Sequence, residues 1–506
     1  MRLVGVIVSI ALSLAPPLAA QAMLEGRVRE HTLDNGMKWL MLERHQSPTV
    51  SMYLRFKAGA VDEWTGVGGT AHLLEHMLFK GTHTLGTKDW AREKPLLEQI
   101  GTAGEALDRE RLRRERADPK KIEALAKELK ALQEKHHELV LKDEIDEIYS
   151  KAGAVGFNAF TNKDHTTYVI SLPANRLELW MRIEADRMTN PVLREYYSER
   201  DVVMEERRRS YDSRPGGTLY EQFVGAAFLA HPYNVPTIGW MSEIEFLSLE
   251  NTEKFRRIFY APNNTIAAVV GDIDPAQVIA MAQRYFGALP PQELPRPLSI
   301  VEPEQKGEKR VQVEFDASPQ VLIGYHKPTC PSREDYVFDI VQGILSSGRT
   351  SRFYKNLVEG KQIAQAVGAG NGDPGARYAN LFTVSGTPRH PHTVAELEAG
   401  IYAEIDKLAK EPVGAKELQK ILNKTEGDLL RGMDSNEGLA SQLSYFEALV
   451  GNWRYLAKYL EVIKTIRPEE IRANVAKYLI PKNRTVAELV RKPAPGGKDA
   501  EGKGEK

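Results

Sequence analysis

The sequence predicts an α+β fold made of two related halves. Two short motifs occur twice, since residues 47–50 resemble 318–321 and residues 260–267 resemble 478–487. Both halves mix apolar β-branched runs with amphipathic helical patterns, but without the regular alternation that builds a doubly wound parallel sheet. The length of 506 residues also exceeds the roughly 250–300 residues at which single hydrophobic cores stop growing, which favours two domains.

The boundary between the halves is predicted at residues 289–309. Prolines occupy four positions between 290 and 297 and disfavour both helix and strand. The N-terminal domain is therefore expected at 23–288 and the C-terminal domain at 310–490.

An insertion is predicted in the first half. The first motif pair is separated by 271 residues and the second by 219, so the first half holds 52 additional residues. The densely charged segment at about 91–150 is the candidate, because apolar residues recur at helical spacing between 122 and 132. Asp118 and Pro119 form an N-cap and first-turn pair, so we expect a hairpin of two charged helices that meet there. The charged faces are expected to be solvated, and a partner-binding arm is the alternative.

Both chain ends are expected to lie outside the fold. Residues 1–22 combine Arg2, a short apolar run and a small-residue cleavage site, which predicts a signal peptide and export to a bacterial periplasm. The apolar run is shorter than the about 20 residues that span a bilayer, so no stable membrane anchor is expected, and a buried N-terminal helix is the alternative. Residues 491–506 are rich in Pro, Gly and Lys and are predicted to be a disordered tail.

The composition excludes several classes of protein. The 68 basic and 69 acidic residues leave a net charge of −1 with no long basic stripe, which argues against nucleic acid as a partner. The single cysteine, Cys330, cannot form an intrachain disulfide or a cysteine-rich zinc cluster.

The chemistry is predicted at an H-x-x-E-H motif formed by His72, Glu75 and His76. On a helix the three side chains fall within about 100° of one another, on one face. Two imidazoles at positions i and i+4 can share a metal ion, and zinc is the usual metal for nitrogen and carboxylate ligands. Glu75 can then act as a general base on water that the metal activates. The alternative is a pair of structural histidines with a salt-bridging glutamate.

A third protein ligand is expected because catalytic zinc usually has three. The best source is the stretch 198–207, in which Glu199 and Glu206 are seven residues apart and share one face of a helix. One carboxylate can bind the metal while the other supports a ligand. A surface helix of alternating charges is the alternative.

Together these motifs resemble the inverted-zincin peptidases of family M16, which include pitrilysin, insulin-degrading enzyme and the mitochondrial processing peptidases. The resemblance covers nearly the whole chain after residue 22, in the stretches 33–36, 66–82, 158–161, 167–168, 199–206 and 260–272. It implies that His72, His76 and Glu206 bind one Zn²⁺ per chain, that Glu75 is the base, and that Glu199 is a supporting carboxylate. Glu206 follows His76 by 130 residues, against roughly 75 in the family, which agrees with the predicted insertion.

The resemblance also implies an architecture and an activity. Two homologous LuxS/MPP-like α/β-roll domains would form a clam-like half-chamber, with zinc in the first domain only. Asn158, Ala159, Phe160 and Thr161 would form an exposed strand that binds substrate by β-augmentation. The expected activity is that of a zinc-dependent endopeptidase acting on peptides or unfolded protein segments.

The second half departs from the pitrilysin pattern. Enzymes of that type carry an Arg and a Tyr that bind substrate and stabilise the oxyanion, where this chain has Val358 and Gln365. An aliphatic side chain cannot donate a hydrogen bond, and such donors are worth about 2.7–4 kcal/mol each. We therefore expect the zinc-bearing subunit of a heterodimer, whose homologous M16 partner lacks H-x-x-E-H and supplies Arg and Tyr. The alternatives are local substitution by Arg352 or Tyr354, a self-sufficient homodimeric peptidase, and a non-catalytic scaffold subunit.

Overall fold

A computed structural model describes residue 24 and residues 26–491 of the chain. The predicted signal peptide at 1–22 and residues 492–506 of the predicted tail lie outside the described residues. Arg491, assigned to the tail by sequence, belongs instead to the last strand. Within the described part of the chain, no helix combines the length and apolar character needed to cross a membrane.

Each half contains one mixed β-sheet with helices packed against it. The strands are β1 (Val28–Thr32), β2 (Lys38–Glu43), β3 (Thr49–Phe56), β4 (Val155–Thr161), β5 (Thr166–Pro173), β6 (Thr265–Gly271), β7 (Lys309–Phe315), β8 (Gln320–Lys327), β9 (Ala364–Asp373), β10 (Asn380–Pro388) and β11 (Arg484–Arg491). The first sheet has the order β1-β2-β6-β3-β5-β4 and the second β7-β11-β8-β10-β9. In both sheets one pair is parallel, β2 with β6 and β7 with β11. The shared order confirms the prediction of two related α+β halves.

The helices follow the same division. They are α1 (Thr70–Met77), α2 (Trp90–Arg111), α3 (Pro119–His137), α4 (Glu144–Lys151), α5 (Leu177–Thr189), α6 (Tyr196–Arg207), α7 (Pro215–Ala227), α8 (Met241–Ile244), α9 (Leu249–Phe259), α10 (Pro275–Phe286), α11 (Arg333–Ser346), α12 (Val394–Lys410), α13 (Ala415–Gly432), α14 (Asn436–Val450), α15 (Arg454–Lys464) and α16 (Pro468–Tyr478). Residues 290–308 contain neither helix nor strand, as expected of a linker, while the exact domain boundaries remain a prediction.

Each half contributes one helix that packs on the sheet of the other half. Helix α14 of the second half packs on β3 and β6, and helix α7 of the first half packs on β7 and β11. Leu40 and Ile266 of the first sheet consequently share one apolar cluster with the core of the second half. Because this interface is a hydrophobic core, the halves form one packed body.

The charged segment after α1 folds as helices. Helices α2 and α3 pack against each other, and Asp118 caps α3 by accepting the N–H of Lys120 at 2.9 Å. These two helices and their junction lie where the sequence predicts them, but the segment also contains a third helix, α4, that was not predicted. That the segment is an insertion relative to the family remains a prediction.

Candidate metal centre

Helix α1 presents the H-x-x-E-H side chains on one face. The ring centroids of His72 and His76 lie 4.7 Å apart, and Glu75 is buried beside them. On the other side of the helix, Leu73 and Leu74 are fully buried in the core of the first half. The apolar face thus anchors the helix while the polar face offers two imidazoles and a carboxylate.

The start of α1 is fixed by a carboxylate and a close backbone contact. The carboxylate of Glu63 accepts the N–H groups of Gly69 at 3.0 Å and Ala71 at 2.7 Å, which satisfies donors that a helix N-terminus leaves unpaired. Gly69 has φ 93°, and a Cβ atom there would lie 2.4 Å from the carbonyl oxygen of Ile238. Only glycine fits both requirements.

Helix α6 brings Glu206 to the two imidazoles. Oε2 of Glu206 lies 3.7 Å from Nε2 of His72 and 3.6 Å from Nε2 of His76. Zinc bonds of about 2.0–2.2 Å in a tetrahedral site place ligand atoms about 3.3–3.6 Å apart. The carboxylate oxygen therefore lies close to zinc spacing from each imidazole nitrogen, and one ligand atom from each of the three residues lies within 4.8 Å of the others.

Two buried polar atoms at this face are unpartnered in the described part of the chain, although neither is one of the three atoms at the His72–His76–Glu206 cluster. Nδ1 of His72 and Oε2 of Glu75 are buried without a hydrogen-bond partner among the described residues, whereas buried polar atoms are normally satisfied. Burial, with the neighbouring His76 imidazole, lowers the pKa of His72 to about 3, so its ring is neutral near pH 7. Burial raises the pKa of Glu75.

Glu199 contacts His76 and Lys80 and is not part of the cluster of His72, His76 and Glu206. Its Oε1 lies 2.9 Å from Nδ1 of His76, and its Oε2 lies 2.6 Å from Nζ of Lys80. Burial opposes its ionisation, but hydrogen bonds from His76 and Lys80 together lower the pKa of Glu199 to about 2. Holding one ring nitrogen of a metal-binding histidine with a carboxylate is the usual arrangement around zinc.

Sequence reasoning missed Lys80. This residue follows His76 by four positions and continues the helical path through the turn that ends α1. The spacing was the available signal, because residues four apart on a helical path are neighbours.

The predicted substrate strand lies at the edge of the first sheet. β4 pairs with β5 through Asn158↔Val169 and Thr161↔Thr166, and no other described strand pairs with it. A cavity of about 330 Å³ next to the strand is lined by Asn158 together with Glu75, His76, Lys80 and Glu199. The exposed edge and the cluster of titratable groups therefore face one space.

Residues 310–491, the described part of the second half, contain no equivalent of the cluster. Val358 packs against the core of that half, and Gln365 is exposed on β9. Arg352 is held by Glu417, with nitrogen–oxygen distances of 3.0 and 2.8 Å, so its guanidinium is occupied locally. Among the described residues, the one His/Cys/Asp/Glu cluster with metal-binding spacing is that of His72, His76 and Glu206.

A duplicated α+β fold with two imidazoles and one carboxylate at zinc spacing defines a class, the metallopeptidases. The chain belongs to peptidase family M16. The insulinase (peptidase family M16) model matches residues 39–110 and 115–239, and the M16 inactive-domain model matches residues 247–425.

Individual relatives agree with this placement. The chain is 27% identical to the zinc protease PqqE of Helicobacter pylori over 87% of each chain. In fold it is similar to the crystal structure of a protease from Helicobacter pylori, with a TM-score of 0.76 and 24% identity over 92% of this chain and 99% of that one. It is also similar to the periplasmic protease PqqL from Escherichia coli, with a TM-score of 0.68 and 16% identity over 92% of this chain and 48% of that one. The structural matches support the two-domain fold.

Proposed function

We propose that this chain is a zinc-dependent endopeptidase, a hydrolase that cleaves peptides or unfolded protein segments. The observation that carries the proposal is the convergence of Glu206 on His72 and His76 at 3.7 and 3.6 Å. These three residues would hold one Zn²⁺ per chain. Bound zinc supplies a Lewis acid and lowers the pKa of a coordinated water towards 7.

The other residues of the centre have separate roles. Glu75 takes the proton from the attacking water and passes it to the leaving amine, as a buried carboxylate with an unpartnered oxygen at this face can do. Glu199 holds Nδ1 of His76, which directs Nε2 of that ring towards Glu206. Glu75 therefore transfers the proton, and Glu199 fixes the orientation of the His76 ring.

Substrate is proposed to bind along Asn158, Ala159, Phe160 and Thr161. An extended peptide can add to the free edge of β4 through main-chain hydrogen bonds, which read the backbone more than the side chains. Phe160 is 39% exposed there and offers an apolar contact. This mode favours extended or unfolded segments over folded proteins.

A homologous partner chain is part of the proposal. The side chain of Val358 has no hydrogen-bond donor in place of the Arg of pitrilysin-like enzymes, Gln365 has an amide in place of their Tyr hydroxyl, and Arg352 is engaged by Glu417. A second M16 subunit without H-x-x-E-H would supply both donors in a heterodimer. Nucleic acid is not an expected partner of a chain with a net charge of −1.

We place the mature protein in the periplasm. The signal-peptide pattern at residues 1–22 supports export. The similarity in fold to a protease described as periplasmic in Escherichia coli is consistent with this location.

Cleavage of an unstructured peptide tests the proposal. The mature chain is assayed with and without a homologous chain that lacks the motif, with chelator, and as Glu75→Gln. We expect hydrolysis that requires metal and Glu75 and that rises at least about 10-fold with the partner, because one missing oxyanion donor costs about 10²–10³ in rate. A matched control is Glu205→Gln, an exposed glutamate on α6.

The other outcomes identify the alternatives. Zinc-loaded protein without activity in any combination would indicate a scaffold subunit. Full activity of the chain alone would indicate a self-sufficient homodimeric peptidase.

A further inference from the structure

Helix α6 carries both Glu199 and Glu206, and a series of buried contacts holds it along α2. The first contact lies just before α6 begins. Arg194 donates to both carboxylate oxygens of Glu93, Nε to Oε1 at 2.7 Å and Nη2 to Oε2 at 3.0 Å. Both side chains are 0% exposed. His136 of α3 contacts the same carboxylate at 2.8 Å, so both hairpin helices meet at this point.

Arg194 also reaches the loop that follows the metal-binding helix α1. Its Nη1 donates to the carbonyl oxygens of Lys80 at 3.0 Å and Leu85 at 3.1 Å. The guanidinium thus links the end of α1, the start of α6 and the hairpin. These are the elements whose relative position determines where Glu206 lies against the imidazoles.

The second contact is a close approach between the backbone of α2 and an aromatic ring of α6. A Cβ atom on Gly104 of α2 would lie 2.0 Å from Cζ of Tyr197 in the first turn of α6. The hydroxyl of Tyr197 donates to the carbonyl oxygen of Gly101 at 3.2 Å. Glycine at position 104 therefore leaves the space on α2 that the ring of Tyr197 occupies.

The third contact is a bidentate ion pair. Arg200 of α6 donates to Asp108 of α2, from Nη1 to Oδ2 at 2.6 Å and from Nη2 to Oδ1 at 3.1 Å. Nη1 of Arg200 also donates to the carbonyl oxygen of Leu247 at 3.0 Å. Arg200 immediately follows Glu199, so this pair sets the rotation of the helix turn that holds His76.

We propose that the α2–α3 hairpin is a brace for the metal centre, in which Arg194, Gly104 and the Asp108–Arg200 pair are positioning residues. They fix the height and rotation of α6, so that Glu206 meets the two imidazoles and Glu199 meets Nδ1 of His76. This inference rests on the proposed function, which names the metal ligands that the brace positions. Its inner face is buried against α6, while the outer charged face is free to be solvated.

The test is Gly104→Ala, with Gly101→Ala as its matched control. Both substitutions add one methyl group to α2, but the Cβ at position 101 meets its nearest atom at 3.7 Å, an ordinary contact. We expect Gly104→Ala to raise the Kd for Zn²⁺, measured by chelator competition, at least about 10-fold, the effect typical of disturbed ligand support. In peptide cleavage we expect a lower kcat with KM within about twofold. For Gly101→Ala we expect both the Kd for Zn²⁺ and the kcat to stay within about twofold of the parent values.

A compensating substitution separates positioning from general damage. Tyr197→Leu removes the ring that the new methyl group meets, so Gly104→Ala with Tyr197→Leu should recover most of the lost zinc affinity. Far-UV circular dichroism and the Tm establish folding. Should Gly104→Ala not fold, Asp108→Asn serves instead, because it keeps the side-chain volume and weakens the bidentate pair.

The readouts distinguish this inference from the proposed function. A folded Gly104→Ala or Asp108→Asn protein that binds Zn²⁺ with the parent Kd overturns the brace, even if the parent is an active peptidase. A parent without peptidase activity in any combination, including with a homologous partner chain, overturns the proposed function, while a weakened Kd in the variants still supports the brace.

Discussion

Nδ1 of His76 lies 2.9 Å from Oε1 of Glu199, while Nε2 of the same ring lies 3.6 Å from Oε2 of Glu206. The two carboxylates come from one helix, seven residues apart, and they contact opposite nitrogens of one imidazole. Helix α6 therefore sets both the orientation of the ring and its distance from the third ligand. The position of this single helix decides whether the centre can bind a metal.

Replacing Glu199 by Gln should weaken the centre without unfolding the protein. The amide keeps the size of the side chain but loses the charge that pairs with Lys80 at 2.6 Å. We expect the Kd for Zn²⁺ to rise about 10–100-fold, as for other carboxylates that support a ligating histidine. Chelator competition measures the change, with the exposed Glu205→Gln as control. Equal affinities in the two variants would refute the supporting role.

Metal should stabilise the folded chain through Glu206. A ligand that binds only the folded state stabilises it by about 2.7 kcal/mol at 100 times its Kd. Saturating Zn²⁺ should therefore raise the Tm of the parent relative to chelator-treated protein, and Glu206→Ala should lose most of that shift. Differential scanning calorimetry measures it, and Glu205→Ala on the same helix should keep the full shift. The same shift in Glu206→Ala would place the metal elsewhere.

Part of this centre could be predicted from local spacing alone. His72, Glu75 and His76 lie within five residues, so helix geometry is sufficient to place them on one face. Glu206 is 130 residues from His76, and spacing left open whether it or Glu199 binds the metal, so the family resemblance made that choice. In the structure Glu206 is the carboxylate that lies near both rings, and its role as a metal ligand remains a prediction.

The brace could not be predicted, because nothing local distinguishes its residues. Asp108 lies in a run dense with charged side chains, and its partner Arg200 is 92 positions away. The packing of a helix from each half on the sheet of the other half could not be predicted from the sequence either. Repeated motifs indicate two similar units, but they do not show that α14 covers β3 and β6. Such pairings are set by tertiary packing.

The second half should affect substrate binding through Asp164. This residue lies in the turn after β4, and its Oδ2 accepts the backbone N–H groups of Ala376 at 2.6 Å and Arg377 at 3.1 Å. Asp164→Ala removes these bonds, together with the one that the Tyr233 hydroxyl donates to Oδ1 at 2.6 Å, and releases the end of the proposed substrate strand. We expect KM for an unstructured peptide to rise about 5–10-fold, since a lost buried acceptor costs about 1–3 kcal/mol, with the Kd for Zn²⁺ unchanged. Asp316→Ala, at an 81% exposed side chain, is the control, and an unchanged KM in Asp164→Ala would contradict the coupling.

Asp339 of α11 should make stability depend on pH. Burial and repulsion by Asp335 raise the pKa of Asp339 from 3.8 to about 6, against hydrogen bonds from Asn371 and Tyr459. At a pH between the unfolded-state pKa of 3.8 and the folded-state pKa of about 6, the folded chain binds more protons at this carboxyl than the unfolded chain does. The free energy of unfolding therefore falls as the pH rises, by at most about 1.4 kcal/mol per pH unit. Asp339→Asn cannot titrate and lacks this decline.

Denaturant unfolding with chelator at pH 4, 5, 6 and 7 measures the difference. The free energy of unfolding of the variant should rise relative to that of the parent up to about pH 6, and above that pH the difference should stay constant. Asp406→Asn, at a side chain 66% exposed, should follow the parent throughout, and a constant offset between Asp339→Asn and the parent would show that the carboxyl titrates normally in the folded chain.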